Sequence, residues 1–317
     1  MTAFLLKRLG QFAFTLWCVA TLIFFMLRVL PGDPVEFKYT SEGGTITAEQ
    51  LQAQRARFGY DKPLAQQYVG WIGGLLKFDL GTSIWSENPI REEIGSRLGI
   101  TIQLAFAALI VGLLLALPLG VAGALARGTW LDQAIRVFTV TGQSLPSFWL
   151  AMLVLLALLA TVGWIPSIEA VAFRDRPWEY LAQLMVPAVV VGWRLSSVNA
   201  RLLRSSLIEV LGQDYVRTAH AKGVGPARVV WRHALANALL PTVTVLGIEF
   251  AGLLGGLVVT EQVFNINGIG RLLVQAISFS DLALIQGLVM LFALIYVTVG
   301  FAVDVVHALL DPRVRVH

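Results

Sequence analysis

Four polar residues within long apolar segments are the first candidates for a solute-binding role. Arg194, Ser197 and Asn199 lie in one such segment, and Glu249 lies in the next. A charge inside a membrane costs at least about 2.5–3.5 kcal/mol on insertion scales, so such residues usually pair or line a wet path. We predict a translocation pathway here, with alternatives left open. Arg194 and Glu249 pair across the path or hold opposite ends of a zwitterionic solute, or each faces a wet cavity or a different helix.

The residue types needed for catalysis are present but are not arranged for it. The chain has no G-x-x-x-x-G-K-[ST] loop to cradle phosphates, and its histidines and carboxylates lack metal-ligand spacing. Ser205 and Ser206 have no neighbouring base, and the single cysteine, Cys18, lies in an apolar segment and can form no internal disulfide. We therefore predict no catalytic residue, no metal site and no enzyme activity in this chain.

The longest polar interruption in the second half of the chain is Asp214–Pro241, DYVRTAHAKGVGPARVVWRHALANALLP. Helical periodicity extends over Ser206–Ala221, Gly223 is a typical helix stop, and Pro226 suits the first turn of a second helix. The sequence thus predicts two short helices with a bend, held between membrane spans. Ala219 is small enough for another protein's backbone to approach closely. Four basic residues also fit a plain cytoplasmic loop: Arg217, Lys222, Arg228 and Arg232.

Composition places the chain in a membrane. It is 56% hydrophobic and 14% charged with a mean hydropathy of +0.72, which excludes an ordinary soluble domain. A pI near 9.4 would also suit a nucleic-acid-binding protein. Because the basic residues lie in loops between apolar segments, cationic loops facing the cytoplasm are the simpler interpretation, and we predict no nucleic-acid partner.

Six apolar segments are long enough to cross a bilayer. They are Leu9–Leu30, Ile100–Ala126, Val137–Val162, Leu184–Leu203, Thr242–Val259 and Leu282–Leu310. Lysine and arginine concentrate on one side of these spans, apart from the long 31–99 segment, which can cross regardless of charge. We predict an all-α integral membrane protein with six transmembrane helices and both termini in the cytoplasm.

Residues 31–99 are long enough for a small extracytoplasmic subdomain. Helices are expected near Ala48–Arg57 and Leu64–Leu76. The segment contains three short motifs, PGDP at 31–34, FGYDKPLAQQY at 58–68 and FDLGTS at 78–83.

In these motifs the chain resembles permeases of ATP-binding-cassette (ABC) importers, in the dipeptide/oligopeptide branch. The similarity includes DYVRTAHAKG and HALANALLP, SLPSFW at 144–149 and DPRVR at 311–315. Three places depart from the family pattern. His220 stands for the usual arginine, Ile266-Asn267 for Trp-Pro, and Ser167-Ile168-Glu169 for a segment with glycine.

The resemblance implies a type I ABC importer permease fold in which residues 204–241 form a cytoplasmic coupling loop. We expect the chain to divide into 1–30 with the first span, an extracytoplasmic subdomain at 31–99, and a permease core at 100–317. The residues expected to couple to an ATPase are Asp214, Tyr215, Arg217, Ala219, His220, Ala221, Lys222 and Gly223. The residues expected in an extracytoplasmic gate or loop are Glu261, Phe264, Gly268, Gly270 and Asp281.

The implied assembly pairs this chain with a second, homologous permease as a heterodimer in the lipid of a bacterial or archaeal cytoplasmic membrane. Two ABC ATPase subunits would bind ATP and Mg, so this chain needs no cofactor of its own. An extracytoplasmic solute-binding protein would deliver the solute. A peptide or peptide-like solute is expected, with nickel chelates, glutathione, opines and oligosaccharides as alternatives. A secondary transporter is disfavoured because the sequence has no evident internal repeat, and a membrane scaffold would not need charges inside its spans.

Overall fold

The computed structural model describes residues 2–29, 32–41, 43, 46–167 and 173–310. Pro31, Ile168, Glu169 and the motif at 311–315 lie outside these residues. Within the described ranges all regular elements are helices, and Thr82 and Pro89 form an isolated bridge. In chain order the helices are α1 (Thr2–Val29), α2 (Pro34–Ser41), α3 (Ala48–Phe58), α4 (Leu64–Leu76), α5 (Ile90–Leu125), α6 (Trp130–Ser144), α7 (Ser147–Val162), α8 (Pro177–Leu211), α9 (Asp214–Ala221), α10 (Pro226–Arg228), a π-helical turn (Val229–Ala234), α11 (Leu235–Val263), α12 (Ile269–Ser278) and α13 (Leu282–Leu310).

Five stretches of helix in the described chain are long and apolar enough to cross a membrane, and a bent pair makes up to six. The five are Leu6–Val29, Ile90–Leu125, Pro177–Leu211, Pro226–Leu253 and Leu282–Val305. Several run past the predicted ends because polar turns continue the helix beyond its apolar part. Helix α5, for example, begins at Ile90 with Glu92 and Glu93 in its first turn, rather than at Ile100.

The third span differs from the prediction of a single helix over Val137–Val162. Helices α6 and α7 are bent by 104° at the break between them. Leu145 is extended there, with φ −80° and ψ 131°. Proline disfavours helical geometry in the residue before it and cannot donate a backbone hydrogen bond, so Pro146 ends α6 and starts α7.

The chain forms two compact units. The first, here called unit 1, comprises Met1–Thr101 with Asn267–Phe301. Its apolar core joins α5, α12 and α13 through Ile90, Ile94, Ile269, Leu272, Ala276, Leu284 and Leu288. The predicted helices in its N-terminal part are confirmed as α3 and α4. A capping box between Thr47 and Gln50 starts α3, and Gly59 ends it in the left-handed conformation at φ +73°.

The second, unit 2, comprises Ile102–Ile266 with Ala302–His317. Helix α8 packs against α6, α7 and α11. It also comes very close to α5, because a Cβ built on Gly192 would lie 2.7 Å from Val111 Cγ1 and 2.9 Å from the Ala108 carbonyl oxygen. Only glycine permits this approach, which is the close packing expected of small residues in membrane helices.

Candidate functional site

Helix α9 is the short helix predicted inside the polar segment. One side of it is held by burial and by hydrogen bonds to neighbouring residues. Val216 is buried, with 1% of its surface exposed. The Tyr215 hydroxyl accepts a hydrogen bond from Asn237 Nδ2 at 2.9 Å and lies 3.4 Å from the His233 carbonyl oxygen, to which it donates. Tyr215 therefore ties α9 to the helical segment that follows.

The opposite face of α9 is open. Asp214, Arg217, His220, Ala221, Lys222 and Gly223 are exposed, and Ala219 is half-buried. Arg217 lies 3.4 Å from Asp214 in an exposed ion pair, which contributes little to stability. This surface of small and basic side chains can receive another protein.

Gly223 ends α9 as the sequence predicts. It adopts φ +80°, its N–H bonds to the His220 carbonyl at 2.9 Å, and the N–H of Val224 bonds to the Ala219 carbonyl at 3.2 Å. A residue with a side chain is strained in this left-handed conformation, whereas glycine is not. The turn after α9 thus depends on glycine.

Two details of this segment differ from the prediction. The single helix expected over Ser206–Ala221 is interrupted, because α8 ends at Leu211 and Gln213 is extended before α9 begins. The second short helix is not separate either. From Pro226 the chain continues through the π-helical turn into α11, so that the polar segment leads directly into the fifth span.

A cavity of about 240 Å³ in unit 2 brings together two of the predicted pathway residues. Arg194 and Glu249 both line it, with Ser147 and Thr260. Among the described contacts no ion pair joins Arg194 to Glu249. Glu249 instead accepts a hydrogen bond of 2.5 Å from Asn199 Nδ2. Arg194 is exposed in this chain, and Glu249 is half-buried.

Ser197 does not line that cavity. Its side chain is fully buried, and its hydroxyl donates to the carbonyl of Trp193 one turn earlier in α8, at 2.9 Å. Asn199 is also fully buried and reaches the cavity only through Glu249. The cavity can therefore present a cation and a carboxylate, without direct pairing, to a solute of about its own size.

The residues predicted for the gate are mostly buried. Glu261 and Phe264 in unit 2 have no exposed surface, and in unit 1 Gly268 precedes α12 while Gly270 is buried within it. Asp281 is 1% exposed and organises the loop before α5. Its Oδ2 accepts from the Ser83 hydroxyl at 2.5 Å and from the Ile84 N–H at 3.0 Å, while Oδ1 accepts from the Leu284 N–H at 3.1 Å.

Sequence reasoning missed the ion pair between Asp132 on α6 and Arg204 on α8. A local signal existed, since Thr129 caps α6 by accepting from the N–H of Asp132. That signal indicates a helix start, but it does not reveal a distant arginine. In the described part of the chain no cluster of three or more His, Cys, Asp or Glu residues could hold a metal ion.

Comparison with known proteins adds family and fold. Residues 108–316 match the binding-protein-dependent transport system inner membrane component family, and residues 1–105 match the N-terminal region described for such membrane components. The chain is 38% identical over 315 residues to a protein of Brucella abortus (strain 2308) whose name assigns it to a peptide transport system as a permease. It is equally identical to the glutathione transport system permease protein GsiC of Salmonella typhi. Each alignment covers 99% of both chains.

Two solved structures are similar in fold. A chain of the inward-facing MetNI methionine ABC transporter superposes with a TM-score of 0.56 at 20% identity, covering 69% of this chain and 96% of that one. A chain of an amino acid ABC transporter with histidines gives a TM-score of 0.52 at 14% identity, covering 68% and 93%.

Proposed function

Since the chain belongs to the family of binding-protein-dependent transport system inner membrane components, we propose that α9 is the point at which it receives the motion of an ATPase. The chain is a permease subunit of an ABC importer, a multi-span protein of the inner membrane whose ATPase is a separate subunit. The observation that carries the proposal is the open face of α9, ended by Gly223 and anchored on its other face by Val216 and Tyr215.

The coupling argument is mechanical. Tyr215 ties α9 to Asn237 in the first turn of α11, and the π-helical turn connects directly into the same span. A displacement of the exposed face, which includes Arg217, His220 and Lys222, would therefore be transmitted to the fifth span. ATP and Mg would stay on the ATPase, and ATP-driven closure would alternate the access of the pathway.

The complete importer would contain a second, homologous permease, two ATPase subunits and an extracytoplasmic binding protein. Residues 204–241 would face the cytoplasm of a bacterial or archaeal cell, and residues 31–99 the opposite side. Residues 100–317 would form the permease core, with Glu261, Phe264, Gly268, Gly270 and Asp281 in or beside an extracytoplasmic gate. The arginine and lysine distribution supports this orientation.

The proposed solute is a peptide or peptide-like zwitterion. Arg194 and Glu249 line one cavity without pairing, so they are available to a carboxylate and an ammonium of the solute. Relatives named for peptide and glutathione transport favour this class over nickel chelates, opines and oligosaccharides.

Replacing Gly223 by valine tests the coupling role. We expect the assembled importer to lose solute uptake while its ATPase no longer responds to solute-loaded binding protein, because a β-branched residue is strained at φ +80°. Gly225→Val is the matched control, since Gly225 has φ −61° and open space around its Cβ position. Normal coupled uptake by the Gly223 variant would place the ATPase contact elsewhere.

A further inference from the structure

A second cavity, of about 360 Å³, lies within unit 1 where α1 ends. Its lining includes Phe24 and Arg28 from α1, Trp71 from α4 and Gln286 from α13, together with Tyr60 between α3 and α4. None of these residues belongs to the sites proposed for coupling or for the solute.

Arg28 is held in this cavity as an incompletely satisfied cation. Its guanidinium carbon lies 4.9 Å from the ring centroids of both Phe24 and Tyr60, which orients the group by cation–π contact. Nε donates to Gln67 Oε1 at 3.1 Å. Nη1 is buried with no hydrogen-bond acceptor, and no carboxylate among the described residues pairs with Arg28.

Two more residues lining the cavity carry buried donors without acceptors. They are Trp71, through Nε1, and Gln286, through Nε2. Gln286 is only 4% exposed. A buried donor without an acceptor costs about 1–3 kcal/mol, so a cluster of such groups indicates that an acceptor belongs there.

The rest of the lining favours an anion as that acceptor. Burial raises the pKa of Tyr60 to about 12, so its hydroxyl remains a neutral donor. Lys62 adds positive charge at the cavity, whereas Arg57 is paired with Glu87 at 2.8 Å, and Asp79 is the acidic residue among the lining. An oxyanion with several acceptor oxygens suits a guanidinium, an indole N–H and an amide N–H together.

The surfaces beside the cavity indicate where the anion comes from. Apolar side chains on the last turns of α1 are exposed, including Met26 at 67% and Val29 at 83%. Helix α4 is apolar but only 13 residues long, too short to span, and it exposes Val69 and Leu76. Such a helix beside the end of a span lies at the membrane interface, where lipid headgroups are the abundant anions.

We propose that this cavity binds the headgroup phosphate of an anionic phospholipid, with Arg28, Trp71 and Gln286 as its donors. The acyl chains lie along the exposed apolar side chains of α1 and α4. Arg28 thereby holds one lipid at a defined place between α1, α4 and α13. The proposal does not depend on the identity of the transported solute.

The test measures lipid retained by the purified, fully assembled importer, using native mass spectrometry after delipidation. Phosphatidylglycerol, phosphatidylcholine or inorganic phosphate is then added back separately. We expect phosphatidylglycerol to be retained about tenfold more than phosphatidylcholine, and Arg28→Gln to lose about tenfold of that retention, as the loss of a charge-assisted hydrogen bond implies.

Two glycines in α4 allow a matched pair of variants that distinguishes filling of the cavity from a general defect in folding. Gly70 lines the cavity and Gly73 does not, and a Cβ at either position meets nothing within 4 Å. Gly70→Met should fill the cavity and abolish selective retention with every donor still in place, whereas Gly73→Met should retain phosphatidylglycerol normally.

Several results would overturn the proposal. Equal retention of phosphatidylcholine would mean that the headgroup charge is not recognised, and competition by inorganic phosphate at millimolar concentration would identify a free-anion site. Equal retention of phosphatidylglycerol by the Gly70→Met and Gly73→Met variants would mean that the lipid does not bind in this cavity. Normal lipid retention in Arg28→Gln, with loss of binding-protein docking, would assign Arg28 to a protein contact.

Discussion

Asp132 on α6 accepts two parallel hydrogen bonds from the guanidinium group of Arg204 on α8, from Nε at 2.7 Å and from Nη2 at 2.8 Å. Asp132 is 1% exposed, and it also accepts from the Gly128 N–H at 3.1 Å. The pair is therefore a bidentate, largely buried link between the first half of the broken third span and the fourth span.

Removing the carboxylate should be costly. We expect Asp132→Ala to lower the free energy of unfolding clearly more than the loss of an exposed ion pair does, because Arg204 would lose both of its hydrogen bonds to the carboxylate. Thermal unfolding of the purified chain in detergent measures this loss. Glu179→Ala, which breaks the exposed pair with Arg176, should cost only about 0–1 kcal/mol. Equal effects of the two changes would refute a structural role for the buried pair.

Asp281 should behave as a structural residue of unit 1. Asp281→Ala removes the acceptor for Ser83, Ile84 and Leu284, and each hydrogen bond to a charged group contributes about 1.5–3 kcal/mol. We expect the backbone amides of Ile84 and Leu284, which donate to Asp281, to exchange hydrogen much faster in this variant. Asp61→Ala, a change at an exposed residue, is the control. Unchanged exchange would mean that the loop is held by other contacts.

Arg194 and Glu249 offer a test of the solute site. Arg194→Glu and Glu249→Arg should each impair uptake strongly, since one end of a zwitterionic solute would meet a like charge. If the two residues interact through the solute, the double variant should recover part of the loss, measured by uptake kinetics in proteoliposomes. Losses that simply add would show that the residues act independently.

Ser41 tests the orientation of the chain. It is exposed at the end of α2, so a cysteine placed there, with Cys18 replaced by alanine, should react with a membrane-impermeant thiol reagent added to intact cells. A cysteine at exposed Thr218 in α9 should react only after the membrane is opened. The reverse pattern would invert the proposed topology.

The sequence predicted the elements that depend on local chemistry. Helices α3 and α4, the stop at Gly223 and the start at Pro226 follow from capping, glycine and proline preferences. The same rules, applied more strictly, would have found the break at Pro146. The bonds from Asp132 to Arg204 and from Asp281 to Ser83 were not predictable, because they join residues far apart in the chain whose spacing carries no periodic signal.

The π-helical turn Val229–Ala234 changes the directions in which side chains point along the fifth span. A π turn holds an extra residue compared with an α turn, and each residue of an α-helix turns the chain by about 100°. The side-chain directions before Val229 and after Ala234 therefore belong to two separate helical wheels, offset by about that angle. A one-residue deletion inside the turn can be absorbed by its conversion to an ordinary α turn. A one-residue deletion within α11 cannot be absorbed in this way, because a regular α-helix has no extra residue, and it would rotate one part of the span relative to the other.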